Sequence, residues 1–292
     1  MSKGKLIKGI AGFYYVEVNK EVYECKGRGI LRKKKLTPLV GDYVEITVTD
    51  EDNKKGMIDD IFPRKTELIR PTVANVDQVI VVFSVTQPDP HLSLLDHFLI
   101  LAETQNIDVV ICLNKLDLVQ REDVAELVGI YEKVGYPVIL TSQNDSIGLE
   151  QLEKVLRGKT TVFAGPSGVG KSTLLNRILP HVTLQTGELS SKIARGKHTT
   201  RHVELISLET EGWVVDTPGF SSLNIDFLKE EELADYFIDF EPFAKDCRFL
   251  SCVHLNEPIC GVKTALKAGQ LVQSRYNSYL QMIGEIKKNR RY

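Results

Sequence analysis

The stretch Thr161-Val-Phe-Ala-Gly-Pro-Ser-Gly-Val-Gly-Lys-Ser-Thr173 decides how this chain folds. A short β-favouring run ends at Ala164, a glycine-rich loop follows, and Ser172–Leu179 continues at helical spacing. Gly165-x-x-x-x-Gly170-Lys171-Ser172 in that strand–loop–helix context is a phosphate loop. Its glycines let backbone N–H groups turn inward around an anion, and the helix start adds favourable potential. Gly165, Pro166, Ser167, Gly168, Val169, Gly170, Lys171, Ser172 and Thr173 are therefore expected to hold a nucleotide's phosphates. Lys171 reaches the β- and γ-phosphates, and Ser172 offers its hydroxyl to Mg²⁺.

Upstream, Asn114-Lys115-Leu116-Asp117 follows the apolar strand Asp108–Leu113. A carboxylate has two coplanar acceptor oxygens, and guanine has two adjacent donors, N1–H and the N2 amino group. Adenine lacks that pair, so Asp117 selects guanine. Lys115 lays its stem along the purine, and Asn114 tethers the loop. Thr141-Ser142, after strand Val138–Leu140, can reach the base by backbone N–H. Downstream, Asp216-Thr-Pro-Gly219 follows a strand; Asp216 is suited to hold Mg²⁺ through water, and Gly219 to offer its N–H to the γ-phosphate. Thr199 and Thr200 lie between, and either can supply a second Mg²⁺-binding hydroxyl.

These five motifs form a complete GTPase set in an unusual order: fourth, fifth, first, second, third. Asp117 precedes Gly165 by about fifty residues. The same pocket forms if the domain is circularly permuted, with Lys159-Thr160 joining the old ends. The position after Gly219, where many GTPases carry a water-orienting Gln, holds Phe220, and a phenyl ring cannot polarise water. Slow intrinsic hydrolysis and activation by a partner follow. His198 is the candidate for the missing role, since a neutral imidazole orients water near pH 7. The competing reading is a surface histidine contacting RNA among Lys192, Arg195, Lys197 and Arg201.

Outward from this core, residues 71–225 alternate strand and helix, with helices expected at 92–105, 121–134, 149–157 and 171–179, the pattern of an α/β sheet. Residues 1–70 read as about five short strands, Gly29-Ile-Leu31 among them, and suggest an OB-like barrel. Residues 226–292 read as helical, with Tyr276, Tyr279, Leu280, Ile283 and Ile286 forming the apolar stripe of a final helix. The fold class is thus multidomain: an OB-like β-barrel (1–70), a circularly permuted α/β P-loop GTPase domain (71–225) and a small helical zinc-binding domain (226–292).

The 292 residues carry a net charge of −2, and 42% are apolar, which excludes wholesale disorder. Apolar runs such as Val79–Phe83 fall far short of the ~18 residues of a membrane span. With no signal-peptide pattern at the start, a cytoplasmic monomer that does not engage membranes is expected. The low net charge hides asymmetry. Residues 1–40 hold ten Lys/Arg against three Glu, a net +7, whereas residues 226–246 hold eight acids against two Lys, a net −6. Basic ends suit a polyanionic partner. Lys26, Arg28, Arg32, Lys33, Lys34 and Lys35, with Tyr14, Tyr15 and Tyr23, read either as an RNA surface with stacking rings or as a solvated lysine loop over core tyrosines.

Of five cysteines, Cys25 and Cys112 stand alone in strands and read as buried small apolar residues. Cys247-x4-Cys252-x-His254-x5-Cys260 supplies three thiolates and one imidazole, which suit one tetrahedral Zn²⁺ with no open position, a structural site.

An N-terminal small barrel, the motifs Asn114–Asp117, Gly165–Thr173, Gly196-Lys-His-Thr-Thr200 and Asp216–Gly219, and the Cys247 cluster together resemble the RsgA (YjeQ) family of circularly permuted GTPases that depend on the small ribosomal subunit. The resemblance covers nearly the whole chain. It implies Mg²⁺-dependent hydrolysis of GTP to GDP and phosphate, stimulated by the small (30S) subunit and serving its late maturation. It also implies contact of the barrel's basic residues with ribosomal RNA, and a catalytic rather than RNA-binding His198. The alternative kept open is an RNA-binding guanine-nucleotide switch for a non-ribosomal target. A small-molecule kinase would share the phosphate loop but has no use for Asn114–Asp117.

Overall fold

The computed structural model describes residues 2–69, 71–179, 203–216 and 224–289. It begins with β1 (Ser2–Ile10), β2 (Phe13–Val18), β3 (Glu21–Gly27), the short helix α1 (Gly29–Lys33), β4 (Tyr43–Asp50) and β5 (Lys55–Ile61). The five strands close into a barrel in the order β1-β2-β3-β5-β4, with β3 and β5 parallel and the other pairs antiparallel. Leu6, Val16, Cys25, Val44, Ile46 and Ile58 fill it with no exposed surface. This is the OB-like arrangement that alternation suggested. One element differs: Gly29–Leu31, expected as a strand, belongs to α1, because three residues of apolar sequence carry no period of their own, and here Leu31 is buried while Ile30 is exposed. A small hairpin, β6 (Glu67–Ile69) with β7 (Thr72–Ala74), follows and had no sequence signal.

Next come β8 (Gln78–Ser84), α2 (Leu92–Thr104), β9 (Asp108–Asn114), α3 (Ala125–Val134), β10 (Val138–Leu140), α4 (Leu149–Leu156), β11 (Thr160–Ala164), α5 (Lys171–Ile178), β12 (Leu205–Ser207) and β13 (Trp213–Val215). The sheet order is β10-β9-β8-β11-β13-β12, with β12 antiparallel to β13. Every residue of β8 and of β11 is buried, as strands covered on both faces require. The expected helices and strands of this region match to within two residues except the helix expected at 121–134, where a 3-10 turn (Arg121–Val124) takes the first four residues and α3 begins at Ala125. The C-terminal part adds α6 (Glu230–Leu233), α7 (Glu241–Ala244), α8 (Gly261–Lys267) and α9 (Gln273–Asn289). Among the described residues no helix is long and apolar enough to cross a membrane.

The described residues fall into two compact units. The first takes those of Met1–Ile80, Leu149–Ala164 and Lys171–Ser221; the second takes those of Val81–Gly148, Gly165–Gly170 and Ser222–Tyr292. In the first, Lys5 is buried: it donates to Thr160 Oγ1 at 2.5 Å, and its ammonium lies 4.3 Å from the Trp213 ring centre. Burial pushes that ammonium down to about 8, against the opposing pull of Asp77.

The second unit is organised by α2 and α9. Arg275 of α9 is fully buried and donates to Asp96 Oδ1 of α2 and to Asp239 Oδ1, each at 2.7 Å. Tyr131 of α3 donates to the same Asp96 oxygen at 3.2 Å, and the Phe237 ring lies 4.7 Å from the guanidinium. Ser93–Gln281 and His97–Glu285 continue the α2–α9 seam at 2.8 and 2.9 Å. The α9 stripe is shifted from its sequence reading: Tyr276, Tyr279, Ile283 and Ile286 are buried, but Leu280 is 39% exposed and Met282 is buried instead. A buried ion pair that loses one partner leaves an uncompensated charge. Arg275→Met is therefore expected to cost about 3–5 kcal/mol in urea unfolding. Adding Asp96→Asn and Asp239→Asn should recover part of the loss, and no recovery would refute the charge argument.

Candidate functional site

Three loops meet in the second unit through one side chain. Asn114, the last residue of β9, has no exposed surface. Its Nδ2 donates to the carbonyl of Val169 in the phosphate loop at 2.9 Å, its Oδ1 accepts Thr141 Oγ1 at 3.0 Å, and its own carbonyl accepts Val85 N–H at 2.9 Å. Motifs separated by some fifty residues are thereby tied together by hydrogen bonds that burial makes costly to break. Thr141 also receives Leu116 N–H at its carbonyl. The buried threonine thus tethers the loops to one another.

Within the phosphate loop the backbone leaves no room for side chains at two positions. Gly165 has φ +134, and a Cβ there would run into the Val82 carbonyl; Gly170 has φ +92, and a Cβ there would meet the Gln143 and Asn114 side chains. Only glycine satisfies both demands. Lys171 and Ser172 open α5 in the first unit. Desolvation pushes the Lys171 ammonium down to about 8, a shift that a polyphosphate's negative charge would reverse. Asp216 follows β13, and its N–H donates to the Glu204 carbonyl at 2.7 Å. Ser172 and Asp216 offer hard oxygen donors, the chemistry Mg²⁺ takes. His198, Thr199, Thr200, Gly219 and Phe220 lie outside the described residues.

Asp117 stands just past β9, with Lys115 before it in a left-handed conformation (φ +66). That turn sends the Lys115 ammonium to the Gln87 carbonyl. The Asp117 carboxylate accepts Ser142 Oγ at 2.9 Å and Gln143 N–H at 3.1 Å on Oδ1, and Asn144 Nδ2 at 2.6 Å on Oδ2. Burial alone would raise its pKa. The Gln143 N–H, the Ser142 hydroxyl, its own backbone N–H and the Asn144 amide outweigh burial and hold it below the usual carboxylate value. The result is an ionised, oriented acceptor pair. The backbone N–H that reaches the Asp117 carboxylate is that of Gln143, next to the Thr141-Ser142 pair that the sequence suggested for the base. Nothing in the spacing singled out Gln143 or Asn144; only folding brings them to Asp117.

The cysteine–histidine cluster assembles as its spacing implied. One donor atom from each of Cys247, Cys252, His254 and Cys260 lies within 4.8 Å of all the others. His254 Nδ1 is 3.6, 3.4 and 3.3 Å from the sulfurs of Cys247, Cys252 and Cys260, and Cys247 Sγ is 3.9 Å from Cys260 Sγ. A zinc tetrahedron with Zn–S near 2.3 Å and Zn–N near 2.05 Å has edges of ~3.6 Å (S···N) and ~3.8 Å (S···S). Four of the six donor–donor distances thus lie close to the edges of such a tetrahedron, and the cluster can hold a zinc ion. Gly261 and Lys263 N–H groups point at the Cys247 and Cys260 sulfurs at 3.3 and 3.4 Å, which suits thiolates. Tyr276 and Tyr279 hydroxyls hold the His254 and Val253 carbonyls at 2.7 Å each. Burial pushes the Cys252 thiol up to about 12, so a thiolate forms here only against a cation. Cys25 and Cys112, by contrast, are plain core residues, with thiols pushed by burial to about 11 and about 12.

On the barrel, Arg28 and Lys34 are already engaged, while the Arg32 side chain lies outside the described residues. Arg28 pairs with Asp59 at 2.5 Å, and Lys34 with both oxygens of Asp60 at 3.1 Å. Tyr23 is buried with its hydroxyl on Glu51, so it is a core ring, while Tyr14 and Tyr15 are half-buried. Lys26 lies over the Phe13 ring at 4.8 Å, and Lys33 and Lys35 are exposed.

Comparison with known proteins follows the same outline. Residues 61–226 match the model of the RsgA GTPase family and residues 3–58 that of the RsgA N-terminal domain. The small ribosomal subunit biogenesis GTPase RsgA of Caldanaerobacter subterraneus subsp. tengcongensis is 47% identical over 292 residues, covering 99% of this chain and 98% of that protein. The protein of the same name from Clostridium botulinum strain 657 is 46% identical, covering 99% of each. Among solved structures, the circularly permuted GTPase YloQ superposes with a TM-score of 0.84 at 44% identity, over 99% of this chain and 96% of that one. YjeQ from Thermotoga maritima gives 0.85 at 38% identity, over 98% of each.

Proposed function

This chain belongs to the RsgA GTPase family and is a GTP hydrolase, and from that premise we propose that the small ribosomal subunit stimulates it and that it serves that subunit's late maturation. The observation that carries the nucleotide half is Asn114, one buried side chain bonded to the phosphate loop and to the Thr141 loop beside Asp117. What supports the ribosomal half is the pair of relatives whose names say it and which align along 99% of this chain.

In this reading Asp117 takes guanine N1–H and the N2 amino group, and Gln143 N–H takes O6. Lys115 lies along the purine, and residues 165–173 wrap the phosphates. Ser172 and Asp216, with Thr199 or Thr200, hold Mg²⁺, which when bound offsets charge on the β- and γ-phosphates. Lys171 neutralises the same charge from the protein side. His198 orients the attacking water in place of the Gln that Phe220 displaces, and Gly219 N–H meets the γ-phosphate. The Cys247–Cys260 cluster holds one structural zinc, and Lys26, Lys33 and Lys35 lead the barrel's contact with ribosomal RNA. The working divisions are the barrel at 1–70, the GTPase domain at 71–225 and the zinc domain at 226–292, in a cytoplasmic monomer.

The test is GTP hydrolysis with purified small subunits, with large subunits and with free RNA. At least tenfold stimulation by small subunits alone is expected, and its loss in His198→Ala would support that residue's role. Equal rates in all three would leave a guanine-nucleotide switch with another RNA target.

A further inference from the structure

The Asp117 carboxylate carries more donors than base reading requires. Oδ1 has two, Ser142 Oγ and Gln143 N–H, and Oδ2 has one, Asn144 Nδ2, at the shortest of the three distances, 2.6 Å. The local chain is wound to deliver them: Asn144 N–H and Asp145 N–H both donate back to Ser142 Oγ, at 3.2 and 3.3 Å. Guanine needs one acceptor direction on each oxygen, and each carboxylate oxygen has about two. On Oδ1 one existing donor must therefore leave. Gln143 N–H is the one with another destination, because guanine's O6 acceptor adjoins N1. That fixes the orientation of the base: N1–H falls to Oδ1, on the Gln143 side, and the N2 amino group falls to Oδ2. Of the donors from other residues, Oδ2 carries Asn144 alone, so the N2 amino group can approach with that amide in place. The terminal torsion of an aspartate is broad. A carboxylate gripped at one oxygen alone can swing about it, and a second grip at Oδ2 removes that freedom.

We propose that Asn144 is a specificity-determining positioning residue: by donating to Asp117 Oδ2 it fixes the plane in which that carboxylate meets the guanine N2 amino group. The proposal rests on the guanine-reading role of Asp117 and deepens it. Asn144 is exposed, so its replacement does not touch the core.

The test compares the dissociation constants of GDP and IDP, the latter lacking only the N2 amino group, for the full-length protein. In Asn144→Ala the GDP:IDP preference should shrink three- to tenfold, through weaker GDP binding with IDP little changed. Asn144→Asp, which sets a like charge against Oδ2, should shrink it further, and Asn144→Ser, which keeps a donor, should restore part of it. Equal weakening of both nucleotides, or an unchanged ratio, would overturn the proposal. Asp117→Asn, assayed alongside, separates the two layers. If it abolishes the preference for GDP while Asn144→Ala leaves the ratio intact, the Asn144 role alone fails. If Asp117→Asn itself keeps the full preference, the reading of Asp117 fails and the Asn144 role falls with it.

Discussion

Cys252→Ser, or removal of metal by a strong chelator, is expected to melt the segment from Cys247 to Lys267 and expose the rings packed against it. The loop that carries the four donors has little apolar surface of its own. Phe249, Leu250 and Ile259 point outward, and the buried groups around it are the donors themselves with Tyr276, Tyr279, Phe237 and Phe240. Zinc binding to such a site is worth roughly 10–16 kcal/mol of apparent free energy and is folding free energy in a segment this small. Without the ion, burial keeps the Cys252 and Cys260 thiols protonated, and the four donors lose the geometry that 3.3–3.9 Å contacts now define. Metal analysis should find about one zinc per chain, as a closed four-donor site takes. Cys252→Ser should drop metal content to near zero, and near-ultraviolet circular dichroism should lose the tyrosine signal. A variant that keeps that signal and its amide protection without metal would show that the segment stands on its own packing.

Asp117→Asn carries the other large effect. The carboxylate offers two acceptors, whereas the carboxamide offers one acceptor and one donor pair. Guanine's N2 amino group then faces an NH₂, and the Asn144 amide, the donor on that side of the group, faces it as well. Charge-assisted hydrogen bonds of this kind are worth about 1.5–3 kcal/mol each. GTP affinity should therefore fall roughly 10²–10³-fold when two are lost or weakened. Xanthine presents N1–H and a C2 carbonyl, which match the carboxamide, so xanthine nucleotide should bind the variant better than the parent. Competition binding with GTP, XTP and ATP reads all three, and undiminished GTP affinity would remove Asp117 from base recognition.

How much of this was legible beforehand depends on the range of the signal. The phosphate loop, Asn114–Asp117 and the cysteine–histidine spacing are local patterns in which the chemistry dictates residue type at fixed offsets. Their order along the chain was enough to require a permuted domain. Strand and helix positions around the sheet were likewise carried by local periodicity, and β8, β9, β11 and α2 fell where apolar runs and turn residues placed them. The short run Gly29–Leu31 failed because three residues cannot display a period, and Leu280 failed because a helical stripe read without its neighbour has no fixed phase.

What only tertiary structure decided is the pairing of polar groups far apart in sequence. Arg275 and Asp96 are 179 residues apart, and in sequence a charge on a helix face reads as solvated; burial with its partners reverses that. Arg28 and Lys34 read as free cations until β5 brings Asp59 and Asp60 to them. Asp117 announced a guanine site by its motif, but the hydroxyl, the backbone N–H and the amide that hold its two oxygens come from residues 142–144, on a different loop. The residue types needed for phosphate, base and metal chemistry were set by the sequence alone, because chemistry acts through side-chain identity. The orientation of those groups was set by the fold, because hydrogen-bond geometry depends on which backbones are brought within 3 Å.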